Sequence, residues 1–470
     1  MLNLKHLLTQ LAYRALNHTP TRPLPSPAII TADQELAGSK RKLSWALARD
    51  LEQNFVIAGW MVDQHLTYTS SFNFQARTPD MEFNKALEMY CLERFGKKRI
   101  DIAGRMSLDD MARAFMASKL WDGDAAIIKT SQGMLQLLEA WQIAKVDGAP
   151  DGVNENGLVL DPYGRVKQYA VAIRDSQGIH HAAMIDADNM IFDGYFRKAN
   201  QTRGVSPLMP VINSARDVMD ATAYYLLKTK IAAMFGIVIY RDHGKKSGND
   251  FEMERPSGDG AEKKPLQYNI QPGLKLELEQ NDKAEFLESH TPPGEFLNFA
   301  TFLIRQILSA LKIPYSMYDS GAANYSASRS DLNRYKSSTE NERKQMLAVY
   351  DEITDFILRH DIRTGALKLP RGMTYDQIEW EWLPTASFVI DRPAEVATYI
   401  SLLDRGLTTR ANICKELGLG NFYHNAAALG QEERYLKEQN VTVALANPGA
   451  PVSQDKKSDD DLTSQQNKKE

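Results

Sequence analysis

The stretch Arg203-Gly204-Val205-Ser206-Pro207-Leu208-Met209-Pro210-Val211-Ile212-Asn213-Ser214-Ala215-Arg216-Asp217-Val218-Met219 opens the most strongly patterned segment of the chain. Leu208, Val211, Ile212, Ala215, Val218, Met219, Leu226, Leu227 and Ile231 recur every three or four residues. The spacing predicts one helix of about 27 residues, roughly 40 Å long, started by Ser206 and Pro207. A second stripe lies on Gly294 to Lys312, where Phe296, Phe299, Leu303, Ile304, Ile307, Leu308 and Leu311 share one side and Pro314 ends the helix. Two such stripes are what helices need to pack in a bundle or against neighbouring copies. Between them, Phe235 to Tyr240 and Leu274 to Leu278 read as strands, and Asp242 to Pro265 as an exposed loop.

Upstream, the residues from Leu2 to Leu16 fit a short amphipathic helix, and Pro20, Pro23, Pro25 and Pro27 make an extended arm. From Thr31 to Thr67 the apolar positions predict one long helix or two in tandem, with Thr31 and Asp33 as caps. Helical spacing returns at Asp80 to Arg94 and at Ser107 to Asp122, where Ser107 and Asp110 have capping-box spacing. Strands are expected at Ala125 to Lys129, Leu135 to Ile143, Gly157 to Leu160, Val166 to Ile173 and Met190 to Phe192. The first part of the chain is therefore mixed α and β.

Downstream of Pro314, residues 315–328 form a loop of small polar residues, followed by a helix to about His360. Its apolar positions Leu332, Tyr335, Met346, Tyr350, Ile353 and Phe356 flank a polar run from Lys336 to Gln345, expected to be solvated and to face a partner or a lumen. Helix signals recur at Asp391 with Pro393, and from Thr408 to a stop at Gly418. The chain beyond Asn447 has almost nothing to bury and reads as disordered.

The 470 residues carry 56 Lys plus Arg against 60 Asp plus Glu, a net charge of −4, which argues against a tight, charge-driven nucleic-acid binder. Cys91 and Cys414 are too few and too far apart for a disulfide framework or a zinc ribbon. The leading segment lacks a signal-peptide core, no run is long enough to span a membrane, and a reducing cytoplasmic compartment is expected. Gly244-Lys245 lacks the rest of a phosphate loop. The doublet His180-His181 has no metal-ligand spacing, and no serine or cysteine sits in a nucleophile motif. Asp122 with Asp124, and Asp186 with Asp188, are the best candidates for a hard cation. They read better as turns. Trp380 and Trp382 read as core or interface aromatics, and Lys97-Lys98-Arg99 as a solvated face. No cofactor, catalytic residue or metal site is expected.

Five landmarks occur in one order: Ala48-Arg49-Asp50-Leu51 with Asn54; Arg203-Gly204-Val205-Ser206-Pro207-Leu208; Phe299 to Pro314, ending Ala310-Leu311-Lys312-Ile313-Pro314; Asn324-Tyr325-Ser326-Ala327-Ser328-Arg329; and Asp391-Arg392-Pro393 with Gly406-Leu407-Thr408-Thr409 and Glu416-Leu417-Gly418. Together they resemble the lambda-family phage portal proteins over about residues 30 to 440. The chain departs from the first landmark, where Glu52, Gln53, Asn54 and Phe55 replace the usual paired asparagines and basic residue. The resemblance implies an α+β portal fold and a non-enzymatic function: a homo-oligomeric ring, typically of 12 subunits, at one vertex of a capsid. DNA is packaged and ejected through such a ring. It implies an N-terminal arm over 1–30, a wing over 31–203 and 361–392, a stem from helices 204–234 and 294–312, and a clip over 235–293. A tunnel loop with its long helix would occupy 313–360, a helical crown 393–445 and a disordered tail 446–470.

The same resemblance implies double-stranded DNA facing Ser320, Gly321, Ala322, Ala323, Asn324, Tyr325 and Ser326. It implies stem or subunit packing through Val211, Val218, Leu226, Phe299, Leu303 and Ile307. Expected partners are further copies of the chain, the terminase large subunit, head-completion or adaptor proteins, and major capsid and scaffold proteins, with no membrane. The expected location is the virion, and the host cytoplasm during assembly. Two other readings remain open: a magnesium-dependent nuclease using carboxylates such as Asp122 and Asp124, and a helical interaction scaffold.

Overall fold

The computed structural model describes residues 31–176, 178–234, 238–241, 282–285, 293–322, 324–385 and 392–439. The expected N-terminal helix and proline arm, the strand at Leu274 to Leu278, the loop at 242–265 and the C-terminal tail lie outside the described residues. Two compact units divide at Ile390, and each is taken by itself.

The first unit begins with three helices, α1 (Ala32–Glu35), α2 (Ser39–Asn54) and α3 (Val56–Thr69). The predicted tandem is broken at Phe55, whose φ of −124° and ψ of 96° are extended. Its ring is buried, so the break turns an apolar side chain inward. Thr31 caps as expected: its hydroxyl accepts from Gln34 N at 3.3 Å. Asp33 does not. Its carboxylate instead accepts from Thr202 N and Oγ1 at 2.9 and 2.7 Å.

Helix α4 (Met81–Arg94) is capped by Asp80, and α5 (Leu108–Asp122) by the predicted box of Ser107 and Asp110. Strands β2 (Asp124–Lys129), β3 (Leu135–Leu138) and β7 (Met190–Gly194) make an antiparallel sheet in the order β3-β2-β7. A second sheet has the order β4 (Leu158–Leu160), β5 (Val166–Asp175), β6 (Gly178–Asp186). The strand expected to run to Ile143 stops at Leu138, because Glu139 and Gln142 cap each other around the 3-10 turn Ala140–Gln142.

Helix α6 spans Ile212–Met234 and starts later than Ser206 and Pro207 predicted. The Ser206 hydroxyl is occupied with Leu120 O at 2.7 Å and Leu208 N at 3.1 Å, and Pro210 sits in a 3-10 turn, Met209–Val211. Strand β8 (Val238–Arg241) pairs antiparallel with β9 (Asp282–Glu285). Helix α7 (Pro293–Ser309) returns alongside α6, and Tyr225 stacks on Phe296 with ring centroids 4.2 Å apart.

A short helix α8 (Tyr315–Tyr318) precedes α9 (Tyr325–Arg363), which is 39 residues long. The loop expected over 315–328 is therefore shorter, and Tyr325 and Ser326 belong to a helix. Asn324 begins it early, its side chain accepting from Ala327 N at 2.9 Å. Strand β10 (Trp380–Pro384) pairs antiparallel with β1 (Phe72–Ala76), which brings the end of this unit back to its beginning. Trp382 is core, as read: it lies against Phe74, Phe95 and Tyr350. One continuous apolar core joins α2 to α7 and α9, and a smaller one lies beneath β4 and β5.

The second unit holds α10 (Arg392–Asp404), α11 (Arg410–Glu416) and α12 (Phe422–Glu438). Thr409, one residue after the expected Thr408, caps α11, and Gly418, at φ 65°, ends that segment as the sequence signals predicted. Helix α12, capped by Asn421, falls within the expected helical crown but was not picked out by its own spacing.

Candidate functional site

Arg203 is fully buried, and its guanidinium forks onto Asp124, with Nε to Oδ2 at 2.7 Å and Nη2 to Oδ1 at 2.9 Å. The remaining donors reach Ala140 O at 2.8 Å, Ile143 O at 2.5 Å and Asn156 O at 3.0 Å. Gly204 N adds a bond to Asp124 Oδ2 at 2.9 Å. A buried ion pair is tolerable only when its other polar atoms are satisfied, and this one meets that condition. Gly204 and Gly123 cross backbone to backbone: a Cβ on Gly204 would stand 1.9 Å from Gly123 O. Gly123 itself has φ 102° and ends α5 in the left-handed conformation. The landmark Arg203-Gly204-Val205-Ser206 is thus a splice that fastens the entry of α6 to the end of α5 and the start of β2.

That splice corrects the cation reading of Asp122 and Asp124. Both oxygens of Asp124 are taken by Arg203 and Gly204, and no ligand is left to offer. Asp122 stands apart, its carboxyl pushed up to about 7 by burial and by the neighbouring charge of Asp124. Asp186 accepts from the Gln168 amide at 2.8 Å on an exposed edge. Lys97 pairs with Asp110 at the surface, in keeping with a solvated basic stretch.

The second constellation surrounds the turn between α7 and α9. Lys312 ends the α7 segment at φ 60°, an uncommon conformation for a residue with a side chain. Its Nζ donates to Ser338 O at 2.9 Å and to Glu342 Oε1 at 3.0 Å, both on α9. The other oxygen of Glu342 lies 2.7 Å from Nε2 of His65, a fully buried residue of α3. His65 Nδ1 meets the Tyr335 hydroxyl at 3.2 Å. Burial works to raise the Glu342 carboxyl, but its hydrogen bonds and charge contacts with His65 and Lys312 outweigh that and hold it below the ordinary carboxylate range. Burial chiefly, with the charge of Glu342, pushes the Tyr335 phenol up. One step further, Lys119 Nζ donates to Asp193 at 2.5 Å and to Gln345 at 2.8 Å. The run from Lys336 to Gln345 is therefore not the solvated face predicted. Half of it is an internal polar seam binding α9 to α3, α5 and the end of α7.

The turn itself is held at both ends. Tyr318 meets Trp60 of α3 edge to face at 5.3 Å, Arg305 lies over the Tyr315 ring at 4.8 Å, and Ser316 donates to Asp331 at 2.9 Å. Between these anchors Ser320, Gly321 and Asn324 are exposed.

The sequence matches the profile of the family described as phage portal protein, lambda family, over residues 26–343, well over half of the chain. The chain belongs to the lambda family of phage portal proteins. The portal family is one of structural proteins rather than enzymes. No curated protein matches the chain. Among solved structures, it is similar to a chain from the neck of an empty gene transfer agent particle computed with C6 symmetry, at 14% identity and a TM-score of 0.46, covering 80% of this chain and 94% of that one. Chains from the virion of a native gene transfer agent particle and from a native neck computed with C12 symmetry have TM-scores of 0.45 and 0.44, each at 14% identity, covering 81% of this chain and 99% of that one. These likenesses are loose, and membership of the portal family rests on sequence.

The landmark at 203–208 makes the splice, and those ending at Pro314 and opening at Asn324 flank the turn. The residues expected to pack the stem divide into two groups. Val211, Val218, Leu303 and Ile307 are buried in this chain's own core, whereas Leu226 and Phe299 are each 52% exposed. Of the expected loop residues, Ser320, Gly321 and Ala322 form a 3-10 turn, Asn324 is the cap, Tyr325 and Ser326 open α9, and Ala323 lies outside the described residues. The seam of His65, Lys312, Glu342 and Lys119 was missed. The charged spacing of Lys336 to Gln345 inside an otherwise apolar stripe was its only signal. Among the described residues no helix is long and apolar enough to cross a membrane, and no group of three His, Cys, Asp or Glu side chains is placed to hold a metal ion.

Proposed function

We propose that this chain assembles into a ring, of 12 subunits by family expectation, at the unique vertex of a capsid. DNA enters during packaging and leaves during ejection through that ring. Residues 31–203 and 361–392 make the wing, 204–234 and 294–312 the stem, 235–293 the clip and 393–445 the crown. Residues 313–360 carry the tunnel loop, with Ser320 to Ser326 nearest the DNA. The clip meets the terminase large subunit and, later, head-completion or adaptor proteins, and the rim meets scaffold and major capsid proteins.

One observation carries the ring. Helices α6 and α7 bury their apolar residues at one end, from Leu208 to Val218 and from Leu303 to Leu308, and expose Tyr224, Leu226, Leu227, Leu297, Phe299 and Phe302 at the other. Six large apolar side chains left exposed near the same ends of two paired helices mark an interaction surface. Identical patches repeated around an axis are covered when a heterologous contact closes into a ring. Native mass measurement of the purified chain, with negative-stain imaging of the same fraction, tests the proposal. A closed ring with a central hole is expected. Monomers both alone and after co-expression with the capsid and scaffold proteins would reject it.

A further inference from the structure

Helix α9 changes character along its exposed side. Between Ser330 and Lys344 the outward residues are Ser330, Asn333, Arg334, Ser337, Asn341 and Lys344, three or four apart and so on one face, with Arg329 exposed at its edge. The acids of this stretch are directed elsewhere or covered: Asp331 accepts from Ser316, Glu342 belongs to the seam, and Glu340 is half-buried. Among the described residues Arg329 and Lys344 enter no ion pair, and Arg334 has only a 4.0 Å contact with Asp331. Past Ala348 the sign reverses, because Asp351 and Glu352 occupy the exposed positions.

We propose that this strip touches the sugar-phosphate backbone of double-stranded DNA, an inference that rests on the portal reading above. The strip begins about 9 Å beyond the turn at 320–324 and runs about 20 Å along the helix, with Arg334 and Lys344 about 15 Å apart on it. Phosphate oxygens accept from guanidinium, ammonium, amide and hydroxyl groups without regard to sequence. Short Ser and Asn side chains add donors and let a duplex approach. Three cations per subunit are few, so each contact is weak and readily exchanged, as a moving duplex requires. Beyond Ala348, Asp351 accepts from the Trp380 indole, Glu352 pairs with Lys129, and the next exposed cation, Arg359, pairs with Asp355, so the strip ends at Lys344.

The test uses the full-length protein and a labelled linear duplex of about 30 base pairs, titrated between about 50 and 200 mM salt. The strip variant carries Arg329→Gln, Arg334→Gln and Lys344→Gln. A control with the same charge change carries Lys97→Gln, Lys98→Gln and Arg99→Gln. All substitutions in the strip are at exposed positions, so the melting temperature stays put. The slope of log affinity on log salt should fall by about 2 to 3 in the strip variant and stay at the wild-type value in the control. An absence of duplex binding by the wild type, an unchanged slope in the strip variant, or equal losses in both variants would overturn the proposal. An unchanged slope with loss of an acidic protein partner would reassign the strip to that partner. Imaging separates the two readings: rings without a slope difference reject the strip alone, whereas a wild type that forms no rings rejects the portal reading and the strip with it.

Discussion

Asp122 and Asp124 show how two carboxylates separated by one glycine acquire opposite fates. Asp124 is buried with Arg203 on both oxygens and Gly204 N on one of them. The carboxyl of Asp122, one residue before the turn, is mostly buried, has a long contact from Ser118 Oγ at 3.4 Å and feels the charge of Asp124. Its carboxyl therefore titrates near 7 in the folded chain against 3.8 in the unfolded one. Between those values the folded state binds a proton that the unfolded state does not. The resulting stabilisation is full below about pH 4 and is lost as the pH rises through about 7. Replacement by asparagine, which is neutral throughout, should remove this slope. The expected result is an Asp122→Asn variant about 1 to 2 kcal/mol more stable than wild type at pH 8, with the advantage gone at pH 4. Urea unfolding at the two pH values measures it, and equal differences at both would show that Asp122 is not the titrating group.

Among the elements, α9 departs furthest from its sequence pattern, and the reason is pairing across long sequence separations. A run of Lys, Ser, Thr, Glu and Arg reads as a solvated face because isolated charges are seldom buried. Here His65, Lys312 and Lys119 arrive from α3, the end of α7 and α5, and convert that face into a seam. No local spacing announces such partners. Caps were legible for the opposite reason: Thr31, Ser107 and Asp110 act within three residues of themselves. Glu342 is the residue on which the seam turns, since it joins Lys312 to His65. Glu342→Gln keeps the shape and removes the charge, leaving Lys312 short of a counterion. It should cost about 2 to 3 kcal/mol in urea unfolding, whereas Glu340→Gln, two residues away and outside the seam, should stay within about 0.5 kcal/mol of wild type. Equal effects at the two positions would mean that the seam adds nothing beyond ordinary helix surface.

At the scale of the whole molecule, family and α/β class were legible, because landmark order survives where geometry is hidden, but the pairing of β1 with β10 was not. Phe72 to Ala76 is a short run whose partner lies some three hundred positions away, and strand pairing at that distance leaves no periodic trace. The two stripes on α6 and α7 were legible as helices, yet sequence did not divide their buried from their exposed residues. The structure does: Val218 and Ile307 are buried in the fold, and Leu226 and Phe299 are each 52% exposed, which the proposed ring would cover. If a neighbouring copy covers them, the two groups fail differently. Leu226→Asp with Phe299→Asp places charge at half-exposed positions and should leave the melting temperature of the monomer nearly unchanged, each costing within about 0.5 kcal/mol, while abolishing higher assemblies in native mass measurement. Ile307→Ala, in the packed core, should cost about 2 to 5 kcal/mol and reduce assembly only in proportion to the chain that unfolds. Rings that persist in the double aspartate variant would mean that the subunits meet elsewhere and that the exposed ends of α6 and α7 belong to another partner.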